Sequence, residues 1–163
     1  MLGDDPNSRI QFSEEFTGSG AAFFKACADN NLEGIVSKLT IAPYRSGRTK
    51  TWLKTKCFTE TSFVIIGTAR DRKTKAALAL LAQAEPQGLR YAGSAFITLS
   101  GIERAELSAR LQMSKLERCP IPKLRFPDAQ WVNPQLMARV RHLAGSKYLR
   151  HGTVRAIDQP SPA

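Results

Sequence analysis

Apolar and polar positions along the chain change period several times, and each change predicts an element. After a polar start over residues 1–8, which contains Pro6 and reads as frayed, GSG leads into AAFFKACADNNL. Ala22, Phe23, Ala26 and Cys27 fall on one face at helical spacing, and Asn30 and Asn31 stand where a helix stops, so the spacing predicts a helix over about 20–30. GIVSK is short and β-branched, PYRSGR is turn-like and TWLKTKC alternates, which predicts strand, loop, strand. Beyond Glu60, SFVIIGT and GLRYAGSAFI read as strands, and IERAELSARLQM reads as a helix with Ile102, Ala105, Leu107 or Ala109, and Leu111 as its apolar stripe. VRHLA and YLRHGTVRAI supply the last strands.

Propensity and context disagree over TKAALALLAQAE. Alanine and leucine favour a helix, whereas the PQG that follows, and the strand after it, favour a hairpin. We read residues 77–84 as a strand paired through PQG with residues 90–98. Tyr91 and Phe96 have opposite parity in the second strand, so one is expected inside and the other outside unless a bulge at Gly93 intervenes. Several strands around one helix in about 100 residues fit a small closed or partly open barrel, and Pro120, Pro122 and Pro127 mark an irregular excursion before its last strands. The expected class is mostly β with α.

Charge sharpens this picture at one place. The chain carries 24 lysines and arginines against 14 acids, a formal +10. Residues 1–34 hold six acids and two bases (net −4), leaving 22 bases and 8 acids (net +14) for the rest, with no acid at all over 35–59. A basic field of that size suits nucleic acid or another polyanion, although a solvated basic surface has the same composition. In the alternating stretch, Trp52, Lys54 and Lys56 fall on one strand face and Leu53, Thr55 and Cys57 on the other. Two ammonium groups side by side repel unless an anion such as a phosphate lies between them. An edge strand guarded by lysines against aggregation is the alternative.

Other chemistry is thinner. Cys27, Cys57 and Cys119 form no C-x-x-C, and His142 and His151 have no neighbouring cysteine pattern, so zinc is not expected and free thiols suggest a reducing compartment. The first residues lack a charged-then-apolar signal, and no apolar run approaches the ~18 residues of a membrane span. The expectation is a cytoplasmic protein without membrane contact.

EGIVSK, PYRSGR and WLKTKC, in that order and this close together, resemble the closing half of the nucleotidyltransferase (adenylation) domain of ATP-dependent DNA ligases, most closely the bacterial end-joining type. EGIVSK is similar to the fourth nucleotidyltransferase motif of that superfamily and WLKTK to its fifth. The residues from SFVIIGT to ITLSG continue as the OB-fold domain of the same ligases does, and RHLAGSKYLRHGTVRAI resembles the end of that domain. The resemblance runs from about Arg9 to Ile157. It implies a nucleotidyltransferase end at 1–58 and an OB-fold β-barrel at 59–163, with ATP and Mg²⁺ as cofactors and double-stranded DNA as substrate. Residue by residue it makes Glu33 a metal-holding carboxylate and Lys54 and Lys56 contacts to the nucleotide α-phosphate, with Lys38 in the same motif. Arg45, Arg48 and Lys50 become DNA contacts.

Two departures matter. A ligase of this family opens with K-x-D-G, whose lysine attacks ATP, and in these 163 residues no Asp is followed by Gly. The family's closing Asp-Lys is also changed, since Asp158 is followed by Gln159. The expectation is therefore a C-terminal ligase fragment that cannot form lysyl-AMP alone, with a separate polypeptide as a possible source of the other half. A non-catalytic OB-fold module that tracks DNA phosphates is the alternative.

Overall fold

The computed structural model describes residue 9, residues 15–146 and residues 148–158. The polar start over 1–8 lies outside the described residues.

The N-terminal portion is small. Helix α1, Gly20–Asp29, begins where the Ser19 hydroxyl accepts from the Ala22 amide, and ends where the Asn30 amide returns to the Ala26 carbonyl and Asn31 turns left-handed at φ 54°. Strands β1, Gly34–Lys38, and β2, Trp52–Lys56, form an antiparallel two-stranded sheet that pairs with nothing else among the described residues. The helix fits the expected span, but its stripe is a correction. Only Cys27 is buried; Ala22, Phe23 and Ala26 are exposed, and Phe24 turns to the protein instead. Phe23 stacks on Phe16 at 4.7 Å, both in solvent.

The remainder is a closed barrel. Strands β3 (Phe58–Arg70), β4 (Ala77–Glu85), β5 (Gly88–Ile97), β8 (Met137–Leu143) and β9 (Thr153–Asp158) pair in the ring β3-β4-β5-β9-β8-β3. All contacts in the ring are antiparallel except β5 with β9. Helix α2, Gly101–Met113, lies in the connection after β5, followed by the short β6 (Lys115–Leu116) and β7 (Gln130–Val132), which extend the sheet along β3. Five strands closed this way, with the helix after the third, make an OB-type barrel.

Both faces of β3 and β4 are covered, which is why their sequences run apolar without alternation. Phe63, Ile65, Ala79 and Leu81 point into the barrel with Val140, Val154 and Leu107. Val64, Ile66, Leu80 and Ala82 point outward under Ile121, Leu124, Phe126 and Trp131. The proline-rich excursion is thus a lid over the outer sheet face. Residues 77–84 are in a strand, as read: β4 pairs with β5 from Leu78↔Phe96 to Glu85↔Gly88 across Pro86 and Gln87. Burial on two faces outweighs the helical propensity of alanine and leucine.

The inside–outside split expected for Tyr91 and Phe96 is undone by a bulge at Gly93. The register slips between Leu81↔Gly93 and Ala82↔Tyr91, leaving Ala92 unpaired next to Gly93 at φ 135°. Ala92 and Ala95 therefore both face inward, and Tyr91 and Phe96 both face outward. Tyr91 is half-buried under the lid, where burial pushes its phenol up; Phe96 stays 37% exposed. On α2 the expected stripe is again shifted: Leu107 is buried and Leu111 packs against the same core, whereas Ile102, Ala105 and Ala109 face solvent.

Candidate functional site

The β1–β2 hairpin carries the residues singled out above, and its register explains their arrangement. Directly opposed residues share a face, and the pairs are Lys38↔Trp52, Val36↔Lys54 and Gly34↔Lys56. Lys38, Lys54 and Lys56 therefore stand on one face with Trp52 and Val36. Ile35, Ser37, Leu53 and Thr55 make the other. The alternation between Trp52 and Lys56 is as read, and the register adds Lys38 to the same face.

At the tip, the Lys38 ammonium lies 4.8 Å from the centroid of the Trp52 ring, which Tyr44 meets edge-on at 6.0 Å. Arg45, Arg48 and Lys50 are exposed in the connecting loop at this end. Among the described residues no ion pair includes any of these cations or Lys54.

At the base, about 13 Å away for four strand residues, two motif residues touch the barrel. Glu33 accepts from the guanidinium of Arg150 at 3.1 Å, and Lys56 Nζ lies 3.1 Å from His151 Nε2. With the ammonium donating, His151 accepts on Nε2 and keeps its ring proton on Nδ1. Sequence reasoning noticed the Arg150-His151 dipeptide only as part of a closing motif and missed these partners, because contacts across 117 and 95 positions leave no local pattern. The Glu33–Arg150 pair is half exposed on both sides, and such surface pairs contribute about 0.2–1 kcal/mol. It is weak enough to open for a competing ligand.

Buried apolar contacts hold the base in place. Cys27, Cys57 and Ala144 form a small core that joins α1, the β2–β3 junction and the end of β8, with Phe24 and Ile35 around it. The Cys57 amide donates to the Glu33 carbonyl and its carbonyl accepts from Ala144. Burial, reinforced by the neighbouring Cys27, pushes the Cys57 thiol up, so it is a packing residue rather than a nucleophile.

Glu33 is a carboxylate at this base, and no group of three or more metal-ligating side chains occurs among the described residues. Side chains of the described residues do not make a complete Mg²⁺ site. Glu33 fits at most one carboxylate's share of an ion whose other ligands are phosphates and water.

Barrel and lysine-bearing hairpin together make an α+β protein built on an OB-type barrel. No family model matches the chain. Its sequence is 26% identical over 171 aligned positions to the multifunctional non-homologous end joining protein LigD of Pseudomonas aeruginosa, across 98% of this chain and 20% of that protein. Its fold matches the ligase domain from M. tuberculosis LigD with a TM-score of 0.54 at 26% identity, covering 86% of this chain and 49% of that one. A mycobacterial DNA ligase D complexed with ATP and MES matches with a TM-score of 0.50, also at 26% identity, over 88% of this chain and 50% of that one. The resemblance to ATP-dependent DNA ligases of the bacterial end-joining type therefore holds in both sequence and fold. The chain spans about a fifth of the curated relative and about half of the two ligase structures.

Proposed function

We propose that the chain is the C-terminal portion of an ATP-dependent DNA ligase acting in DNA repair and recombination, with a nucleotidyltransferase end at 1–58 and an OB-fold domain at 59–163. The observation that carries this reading is the hairpin face that Lys38, Lys54 and Lys56 share with no carboxylate among them. In the intact reaction a 5′-phosphate is joined to a 3′-hydroxyl through an adenylylated enzyme and an adenylylated DNA end. Lys54 and Lys56, with Lys38 beside them, hold the phosphate of the adenylyl group and offset charge that develops on its oxygens. Glu33, once released from Arg150, would be the residue to hold a share of Mg²⁺, an ion that would offset phosphate charge there, and Arg45, Arg48 and Lys50 at the hairpin tip hold the DNA backbone. One of the similar structures is a ligase bound to ATP, which supports ATP as the nucleotide here.

The lysyl-AMP step is not assigned to these residues. It needs an uncharged lysine in line with the α-phosphate, and a lysine held against phosphate oxygens is stabilised in its charged form. The other half of the domain, carried on a separate polypeptide or on further sequence of the same one, supplies that nucleophile. The exposed flank of α1 and the edges of the β1–β2 sheet, unpaired among the described residues, are consistent with such a complement.

The test is incubation of the purified chain with ATP and Mg²⁺, read by intact mass, followed by sealing of pre-adenylylated nicked DNA. No added AMP is expected, together with slow sealing that Lys54→Ala and Lys56→Ala abolish. AMP on any lysine would restore a complete ligase. Sealing absent from the native chain, with DNA binding intact, would favour the non-catalytic DNA-binding module.

A further inference from the structure

A basic cavity lies on the barrel, away from the hairpin. It is a groove of about 670 Å³ between α2, the end of β3, the β3–β4 turn and β7. Ligand cavities generally fall between about 300 and 1,000 Å³. Leu107, Leu111, Ile97 and Val132 make its floor, and these are residues that also pack on the barrel interior. Its walls carry Arg70, Arg72, Lys75, Arg104 and Lys115 against Asp71 and Asp128, five cations to two carboxylates and so a net +3.

The groove's charges have different local engagements. Arg70 donates to the Lys75 carbonyl at 3.1 Å and Arg104 to the Leu99 carbonyl at 3.1 Å, so both are fixed to the backbone and brace the walls. One oxygen of Asp71 accepts from the Thr74 amide, the Thr74 hydroxyl and the Lys73 amide, which shapes the turn. Arg72, Lys75 and Lys115 are exposed, and none of the three ion pairs among the described residues involves a groove residue. Cations that share one concave wall repel each other, and the concavity concentrates their field.

We propose that this groove is a binding site for a ligand carrying two or more phosphate groups, held by Arg72, Lys75 and Lys115 and read without base contact. The last point follows from the lining, which contains no aromatic ring on which a base could stack. The ligand chemistry is a run of phosphates, found both in free condensed phosphate and in a nucleic-acid backbone. The site does not depend on the ligase reading, since it uses none of the hairpin residues.

Backbone amide chemical shifts of the full chain, titrated with inorganic tripolyphosphate, test the site. The expected result is saturable shifts at Arg72 to Lys75 and at Ser108 to Gln112. In Arg72→Gln/Lys75→Gln/Lys115→Gln the apparent affinity at those signals should fall about tenfold or more, as the loss of three nearby charges implies. All three side chains are exposed, so the variant is expected to fold, and its unperturbed barrel signals verify that. A duplex added in competition identifies the source: displacement of tripolyphosphate from the groove signals assigns the site to a DNA backbone, and its retention assigns it to free condensed phosphate. The proposal is overturned if the groove signals do not move in the native chain, or if the triple variant retains full affinity there.

Discussion

At the level of single residues, the best-defined polar arrangement is the start of α2. The Ser100 hydroxyl accepts from the Glu103 amide while the Glu103 carboxylate accepts from the Ser100 amide and hydroxyl, a reciprocal capping box. Those two hydrogen bonds from Ser100 hold the Glu103 carboxyl below its ordinary value of 4.5. A lowered carboxyl stabilises the folded chain above the ordinary value and loses that contribution as pH falls through the lowered one. Ser100→Ala is expected to cost about 1 kcal/mol at neutral pH, measured by urea unfolding. The difference between the native chain and Ser100→Ala should shrink as the pH is taken below the ordinary carboxylate value, and a difference independent of pH there would mean that the box is not the cause.

At the level of elements, the contact between α1 and the β8–β9 connection governs how the hairpin base is seated. Gly145 has φ 72°, and a Cβ there would lie 2.5 Å from the Asn31 carbonyl oxygen. Both the backbone conformation and the close approach exclude a side chain. Gly145→Ala is expected to destabilise the chain by about 1–3 kcal/mol, and to shift signals of Glu33 and Lys56 as the base is displaced. A thermal melt within about 0.5 kcal/mol of the native chain, the range of neutral surface changes, would show that α1 yields without cost. Phe23 is the contrasting case. Stacked on the exposed Phe16 and itself 40% exposed, it contributes little to this chain alone, so Phe23→Gln should leave unfolding nearly unchanged.

At the level of the whole molecule, the +10 charge and its bias away from residues 1–34 set the response to salt. If the chain neutralises about four to six phosphates of duplex DNA, log K should fall with log salt at a slope of roughly −4 to −5. Fluorescence anisotropy across low to moderate salt measures it, and a slope near zero removes duplex DNA as a partner. Arg45→Ala with Arg48→Ala should weaken duplex binding more than Lys54→Ala with Lys56→Ala, because the arginines are at the exposed hairpin tip and Lys56 is engaged by His151 at the base. The reverse order would return the hairpin to a plain basic surface.

What the sequence determined by itself was local or periodic. The alternation through Trp52–Lys56 and the apolar run of SFVIIGT in β3 are properties of neighbouring positions, and strand geometry converts them directly into strands. The order of the lysine motifs was enough to point to end-joining ligases. The tertiary structure alone decided which helical stripe is covered: Phe23 and Ile102 are apolar at helical spacing yet remain in solvent, because burial depends on what the rest of the chain brings against a face. It also decided that Glu33 and Lys56 meet Arg150 and His151, and that Arg72, Lys75 and Lys115 share one groove. Closing the barrel brings these charges together from distant segments, and their packing distance is set by the strand ring rather than by any spacing along the chain.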